Sequence, residues 1–151
     1  MRRSRPFTVA GLVMSAAALV QAQAPNQEAL AVVNRFFEGM RAHDTAAISG
    51  TLFAGATLVT TSADNTGKPV ARTESMSTFL ETVAKTTAKL DERISSPEVR
   101  VEDNLATVWA RYELYVDGKY NHCGIDAFQL VRTDAGWKIA SIADTRRATC
   151  K

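Results

Sequence analysis

Apolar positions recur with a helical period in the first part of the chain and with a strand period in the last part. Leu30, Val33, Phe37 and Met40 stand at i, i+3, i+7 and i+10, which predicts an amphipathic helix over 27–41 with Asn26 as its N-cap. His43-Asp44 ends that helix, and Asp44 can cap a short second one over 45–52, frayed at Gly50 and Gly55. Met76, Phe79, Leu80 and Val83 repeat the spacing and predict a third helix over 75–87. Stripes of this kind are core-facing surfaces, not cofactor boxes.

Elsewhere the composition is that of strands and turns. Residues 56–62 carry Leu58 and Val59 among threonines, Asp64-Asn65-Thr66-Gly67 is a turn, and 68–73 is a return strand that Pro69 places at an edge. Residues 93–101 form a strand bent at Pro97, and Glu102-Asp103-Asn104 leads into a strand over 105–116. Two hairpins follow. Asp117-Gly118 suits a type I′ turn, whose two central residues need positive φ, and Gly136 closes the second turn. The order is helix, helix, strand pair, helix, then a four-strand meander. It predicts an α+β fold with a curved antiparallel sheet wrapped on three N-terminal helices.

Register gives the strands faces. Pairing Val116 with Lys119 sets Glu113 opposite His122, Arg111 opposite Gly124 and Trp109 opposite Asp126. Pairing Arg132 with Trp137 sets Asp126 beside Ala143, Phe128 beside Ser141 and Cys123 opposite Arg146. One face then gathers Trp109, Arg111, Glu113, His122, Asp126, Phe128 and Trp137. The other gathers Val108, Ala110, Tyr112, Cys123, Ile142, Asp144 and Arg146. The first face, bulky and ionisable, is assigned to a concave cavity wall.

Chemistry on that face has paired readings. Glu113 can orient His122 as a general acid or base, or form a cross-strand ion pair with it. Asp126 against the Trp109 indole can be a carboxyl of raised pKa acting as a base, or a structural hydrogen-bond partner. Arg111 balances its charge or binds an anionic ligand, while Trp109, Phe128 and Trp137 offer aromatic wall for a small flat molecule. His122 and Asp126 lie about 13 Å apart along one strand, too far for a direct pair. On the opposite face, Asp144 and Arg146 read as a structural ion pair.

The N-terminus changes the picture of charge and compartment. Arg2, Arg3 and Arg5 precede a run of roughly 13 small and apolar residues, short of the ~20 a bilayer span needs. Residues 1–22 are therefore expected to be a removable export signal ahead of a single domain over 23–151, with the product periplasmic or extracellular. The chain has 18 basic and 16 acidic residues, a net charge of +2. Removing the signal's three arginines reverses the sign, so no basic face argues for nucleic acid. Cys123 and Cys150 are expected to bridge in an oxidising compartment; the competing reading is a thiol nucleophile activated by His122. No glycine-rich phosphate loop, CxxC or His-Glu-x-x-His spacing is present, so neither a cofactor nor a dedicated metal site is expected.

With its element order, and with DGKYNHCGIDAFQLVRTDAGWKIASIADTRR close before Cys150, the chain resembles the nuclear transport factor 2-like superfamily. Within it, the chain is similar to the exported bacterial branch labelled "putative lumazine-binding". The resemblance implies a cone-shaped fold, helices closing the mouth of a curved sheet and a pocket inside. It also implies a homodimer through the sheet, and a small apolar or aromatic ligand. Some relatives are isomerases, dehydratases or cyclases, which makes Asp126 or His122 a candidate base; a ligand-free structural module is the third possibility.

Overall fold

The computed structural model describes residues 24–150, so the predicted export signal lies outside the described residues. Helix α1 (Pro25–Ala42) starts two residues earlier than its apolar spacing suggests. Ala24 rather than Asn26 is its N-cap, because Pro25 fits the first helical position, where no amide hydrogen is needed. Asn26 Oδ1 instead accepts from the Gln27 amide inside the first turn. α2 (Thr45–Thr51) is capped by Asp44, which accepts from the Ala47 amide at 2.9 Å, and α3 (Met76–Lys85) by Ser75. α1 buries Ala29, Val32, Val33, Phe36, Phe37 and Met40, a broader stripe than i, i+3, i+7 implies, whereas α3 buries Val83 alone.

The strands are β1 (Leu52–Ala63), β2 (Pro69–Ser75), β3 (Leu90–Glu102), β4 (Leu105–Val116), β5 (Lys119–Thr133) and β6 (Gly136–Thr145). They form one sheet in the order β2-β1-β6-β5-β4-β3. The meander is antiparallel as expected, but β1 joins β6 in parallel, so the sheet is mixed and does not close. Pro69 and Pro97 both fall on edge strands, where a missing amide hydrogen costs least. Pro97 sits in a bulge, between the pairs Ser95↔Arg111 and Glu98↔Trp109, and Ser96 before it takes a φ of 49°.

Two further bulges decide which side chains share a face. Asp117 and Gly118 have φ of 52° and 75°, as the turn requires, and Val116↔Lys119 and Tyr115↔Tyr120 pair as expected. Leu114 then pairs with His122, leaving Asn121 as an extra residue in β5. Likewise Leu130↔Ile139 is followed by Gln129↔Ser141, with Ala140 extra in β6. Each extra residue shifts the register by one and turns every later pair to the other face. The expected opposites Trp109–Asp126 and Glu113–His122 are thereby replaced: Asp126 pairs with Ala110, Trp109 with Ala127, and Glu113 with Cys123. Asp126 lies beside Asp144 rather than Ala143, and Phe128 beside Ile142 rather than Ser141.

The concave face therefore carries Val108, Ala110, Tyr112 and Leu114 of β4 with His122, Asp126, Phe128 and Leu130 of β5. Against it α1 packs the core, centred on the fully buried Val33, Val108, Phe128, Leu130 and Ile139. Burying a side chain of the size of Phe128 stabilises the fold by about 1.5–3 kcal/mol. The convex face carries Trp109, Arg111, Glu113 and Cys123. No helix among the described residues is long and apolar enough to cross a membrane.

Cys123 and Cys150 form a disulfide with Cα atoms 6.1 Å apart, which removes the free-thiol reading. Cys123 exchanges backbone hydrogen bonds with Arg147, one residue beyond the expected Arg146, as the β6 bulge dictates. The bridge ties the tail to β5 across a separation of 27 residues. Cys150→Ser is expected to cost about 2 kcal/mol, near the low end for such loops because little packed surface lies beyond the crosslink. Urea unfolding of the oxidised wild type against the variant measures this; equal midpoints would show that the tail contributes nothing.

Candidate functional site

A cavity of about 250 Å³ opens between α1, α3 and the concave face. Phenylalanines and aliphatic side chains make up most of its wall. Phe36 stacks on Phe79 with centroids 5.6 Å apart, and Phe37 meets Phe128 edge to face at 5.7 Å. Met40, Leu58, Val83, Leu90, Leu114 and Ile142 complete the apolar lining, and its polar groups are dominated by Glu92, Tyr112, His122, Asp126, Asp144 and Arg146.

Asp126 is the least ordinary group there. It is 3% exposed, and no hydrogen-bond donor among the described residues reaches its Oδ2. The group that faces it is the carboxyl of Glu92, itself an acceptor while ionised. A proton held between the two gives the pair one O–H donor and leaves its other oxygens as acceptors, and two adjacent carboxylates cannot readily both be charged. Burial raises the Asp126 pKa well above its usual range, and the charge of Glu92, then that of Asp144, add to it. Glu92 is raised to about 7, mainly by burial; its hydrogen bond with Asp126 pulls the other way and Asp144 pushes it up. Near neutral pH the pair holds a proton that ordinary carboxylates would have lost.

The neighbouring groups are already engaged. Asp144 accepts from Thr60 Oγ1 at 2.8 Å and pairs with Arg146 Nε at 3.3 Å, so the expected ion pair exists, though on the concave face. Tyr112 donates its hydroxyl to the Thr145 carbonyl at 2.9 Å. Burial first, and then the charge of Asp144, drives its pKa far up, so the phenol stays neutral. Gly124 makes this arrangement possible: a Cβ there would lie 1.7 Å from Thr145 O and 2.8 Å from the Tyr112 ring. His122 is half-buried, stands edge-on to Tyr112 and meets Asn121 Oδ1 with its Nδ1 at 2.7 Å. Because that oxygen can only accept, Nδ1 carries the hydrogen and Nε2 is the basic nitrogen. Burial lowers the His122 pKa, Arg146 lowers it further and Asp144 partly opposes both.

The structure brings His122, Asp126 and Phe128 together at the cavity and separates them from the other expected site residues. Trp109 is 51% exposed on the convex face, with Arg111 and Glu113 beside it; Glu113 accepts from Tyr115 Oη instead of orienting His122. Trp137 is buried on the concave side but outside the cavity wall, with the Arg132 guanidinium 5.5 Å above its ring. Glu92, Tyr112 and Asp144 join the site instead. Their signals lay within single strands: Leu90, Glu92 and Ile94 alternate, which places a glutamate in a half-buried row. In β4 the apolar set Val108, Ala110, Tyr112, Leu114 stands against the more polar set Thr107, Trp109, Arg111, Glu113. No group of three His, Cys, Asp or Glu among the described residues is arranged to hold a metal ion.

The model of the family described as "Putative lumazine-binding" matches residues 24–143. The chain belongs to this family. Its fold is that of the nuclear transport factor 2-like proteins. A nuclear transport factor 2-like protein with a cystatin-like fold from Novosphingobium aromaticivorans superposes with a TM-score of 0.64 at 13% identity, covering 83% of this chain and 84% of that one. A superfamily member from Salmonella enterica gives 0.63 at 16% identity, covering 84% and 94%. A protein described as a putative dehydratase from Streptomyces avermitilis gives 0.60 at 16%, covering 82% and 96%. Curated protein sequences give no match. At these identities the structural likeness shows the fold, and the chemistry of this lumazine-binding family member has to be argued from its own cavity.

Proposed function

We propose that this domain binds a small, largely apolar molecule in the cavity, with the ligand's polar end at Glu92 and Asp126. The observation that carries the reading is a buried carboxyl oxygen without a protein donor, set in an aromatic-lined space of about 250 Å³. Binding sites of small molecules have this composition, an apolar wall with a few placed polar groups. The family's description points the same way, toward a small ring compound. Phe36, Phe79 and Phe128 are the stacking surfaces in this reading, in place of Trp109. The basic and apolar N-terminus, together with the disulfide, supports an exported protein acting in an oxidising compartment. The exposed Trp109 on the convex face suits a homodimer contact there.

Native mass spectrometry of gently purified protein tests the reading. A small molecule that stays bound under native conditions and is lost on denaturation is expected. A cavity that retains nothing and gains no thermal stability from any member of an aromatic fragment set would contradict it.

A second reading, an isomerase- or dehydratase-type enzyme, is favoured by one specific observation: Asp126 and Glu92 hold a proton between them near neutrality inside a largely apolar cavity, as general acid–base pairs do. Within a pair that shares one proton, the ionised carboxyl, or His122 Nε2, would then take a proton from a carbon beside a carbonyl, and the protonated carboxyl would donate to the carbonyl oxygen. Exchange of the α-protons of cyclohexanone in D₂O, followed by NMR, should be accelerated by the wild type and not by Asp126→Asn; equal rates would rule the chemistry out.

A further inference from the structure

Hydrogen-bond capacity at the polar end of the cavity is one-sided. The donors nearest the buried carboxyls are committed, Tyr112 Oη to Thr145 O, Thr60 Oγ1 and Arg146 Nε to Asp144, and Thr82 Oγ1 on α3 to Thr78 O, with the terminal nitrogens of the half-exposed Arg146 as the remaining donors. The acceptors are in surplus, with Asp126 Oδ2 unpartnered on a side chain 3% exposed. Charge is one-sided too. Glu74 from β2, Glu92 from β3, Asp126 from β5 and Asp144 from β6 line the space against Arg146, which is half-exposed and paired. α1 and α3 contribute no ionisable side chain to the lining.

We propose that the polar end of the ligand is a protonated nitrogen, an amine or amidine on an apolar ring, which donates to Asp126 and Glu92 together. The inference rests on the ligand-binding reading and narrows it to a chemical class. An ammonium group supplies the donors that the pair lacks, and its charge compensates two carboxylates that are otherwise unable to ionise side by side. Its arrival displaces the proton held between Glu92 and Asp126, so one N–H donor replaces one O–H and the proton leaves to buffer. A carbonyl ligand does the reverse, since it requires the pair to keep that proton. The other titratable groups facing the pair change this little. Tyr112 stays neutral, burial and then Arg146 favour the neutral form of His122, and Asp144 stays matched by Arg146.

Calorimetric titration of the full domain with benzylamine, benzyl alcohol and benzoate, at pH 5.5 and pH 8, tests the proposal. Benzylamine is expected to bind at least tenfold more tightly than benzyl alcohol at pH 8, to weaken at least tenfold at pH 5.5, and to release a proton visible as a buffer-dependent heat. Asp126→Asn should erase most of the preference for the amine over the alcohol. Equal binding of amine and alcohol, or tighter binding of benzoate through Arg146, overturns the amine assignment and leaves the cavity a ligand site. Binding of none of the three overturns the ligand-binding reading and the amine assignment with it.

Discussion

At pH 8 the Asp126→Asn variant is expected to be more stable than the wild-type chain by about 2–3 kcal/mol, because a buried, imperfectly satisfied acid is replaced by a neutral amide of the same shape. The pH dependence follows from the sign of the shifts. Both folded-state pKa values lie above the ordinary ones of 4.5 for Glu92 and 3.8 for Asp126, so the folded protein binds more protons than the unfolded chain in between. The stability this contributes is fully present at acid pH. It is lost as pH rises from the ordinary carboxylate range through about 7, where Glu92 titrates, and beyond. The advantage of the amide should therefore vanish near pH 4 and be largest at pH 8. Urea midpoints of both proteins across that range measure it; a constant difference would mean that the carboxyl pair is not responsible.

Gly124→Ala should be the most damaging small substitution in the site, at about 3 kcal/mol, at the upper end of the usual cost of overpacking. The new methyl would sit 1.7 Å from a backbone oxygen, which cannot rotate aside as a flexible side chain can. Either β5 moves away from the end of β6, which breaks the Tyr112–Thr145 hydrogen bond, or the tail shifts and strains the Cys123–Arg147 pairing. A loss of protection from hydrogen exchange confined to the Cys123, Ile125 and Arg147 amides would locate the damage. Gly50→Ala, where nothing stands within 4 Å, is the matched control and should be close to neutral or mildly stabilising.

Much of the fold could be read from residue patterns because local chemistry fixed it. The Asp44 and Ser75 caps, the Asp117-Gly118 turn, the edge position marked by Pro69 and the Pro97 bend are all properties of a few adjacent residues. The candidate site was legible only in part. Its members come from different strands, and carrying a face from β5 to β4 or β6 requires an unbroken ladder. Asn121 and Ala140 each break it by one residue, and neither is a glycine or proline that would announce a bulge. Asp126 was therefore identified with the wrong partner: its raised pKa comes from burial and Glu92, not from Trp109. Tyr112 and Asp126, which an unbroken register separates, line the same cavity. The polar-against-apolar alternation inside β4 is independent of register and assigns Trp109, Arg111 and Glu113 to the outside by itself.

Titration of the side-chain carboxyl carbons by NMR, on protein labelled with ¹³C in Asp and Glu, tests the account most directly. Glu92 is expected to titrate near 7, with Asp126 retaining its proton well above the range of an ordinary aspartate, and Glu92 should stay raised in Asp126→Asn, because burial and not Asp126 is the main cause of its shift. Two independent midpoints near 4 in the wild-type protein would mean that the carboxyls do not share a proton, and would contradict the account of the cavity built on them.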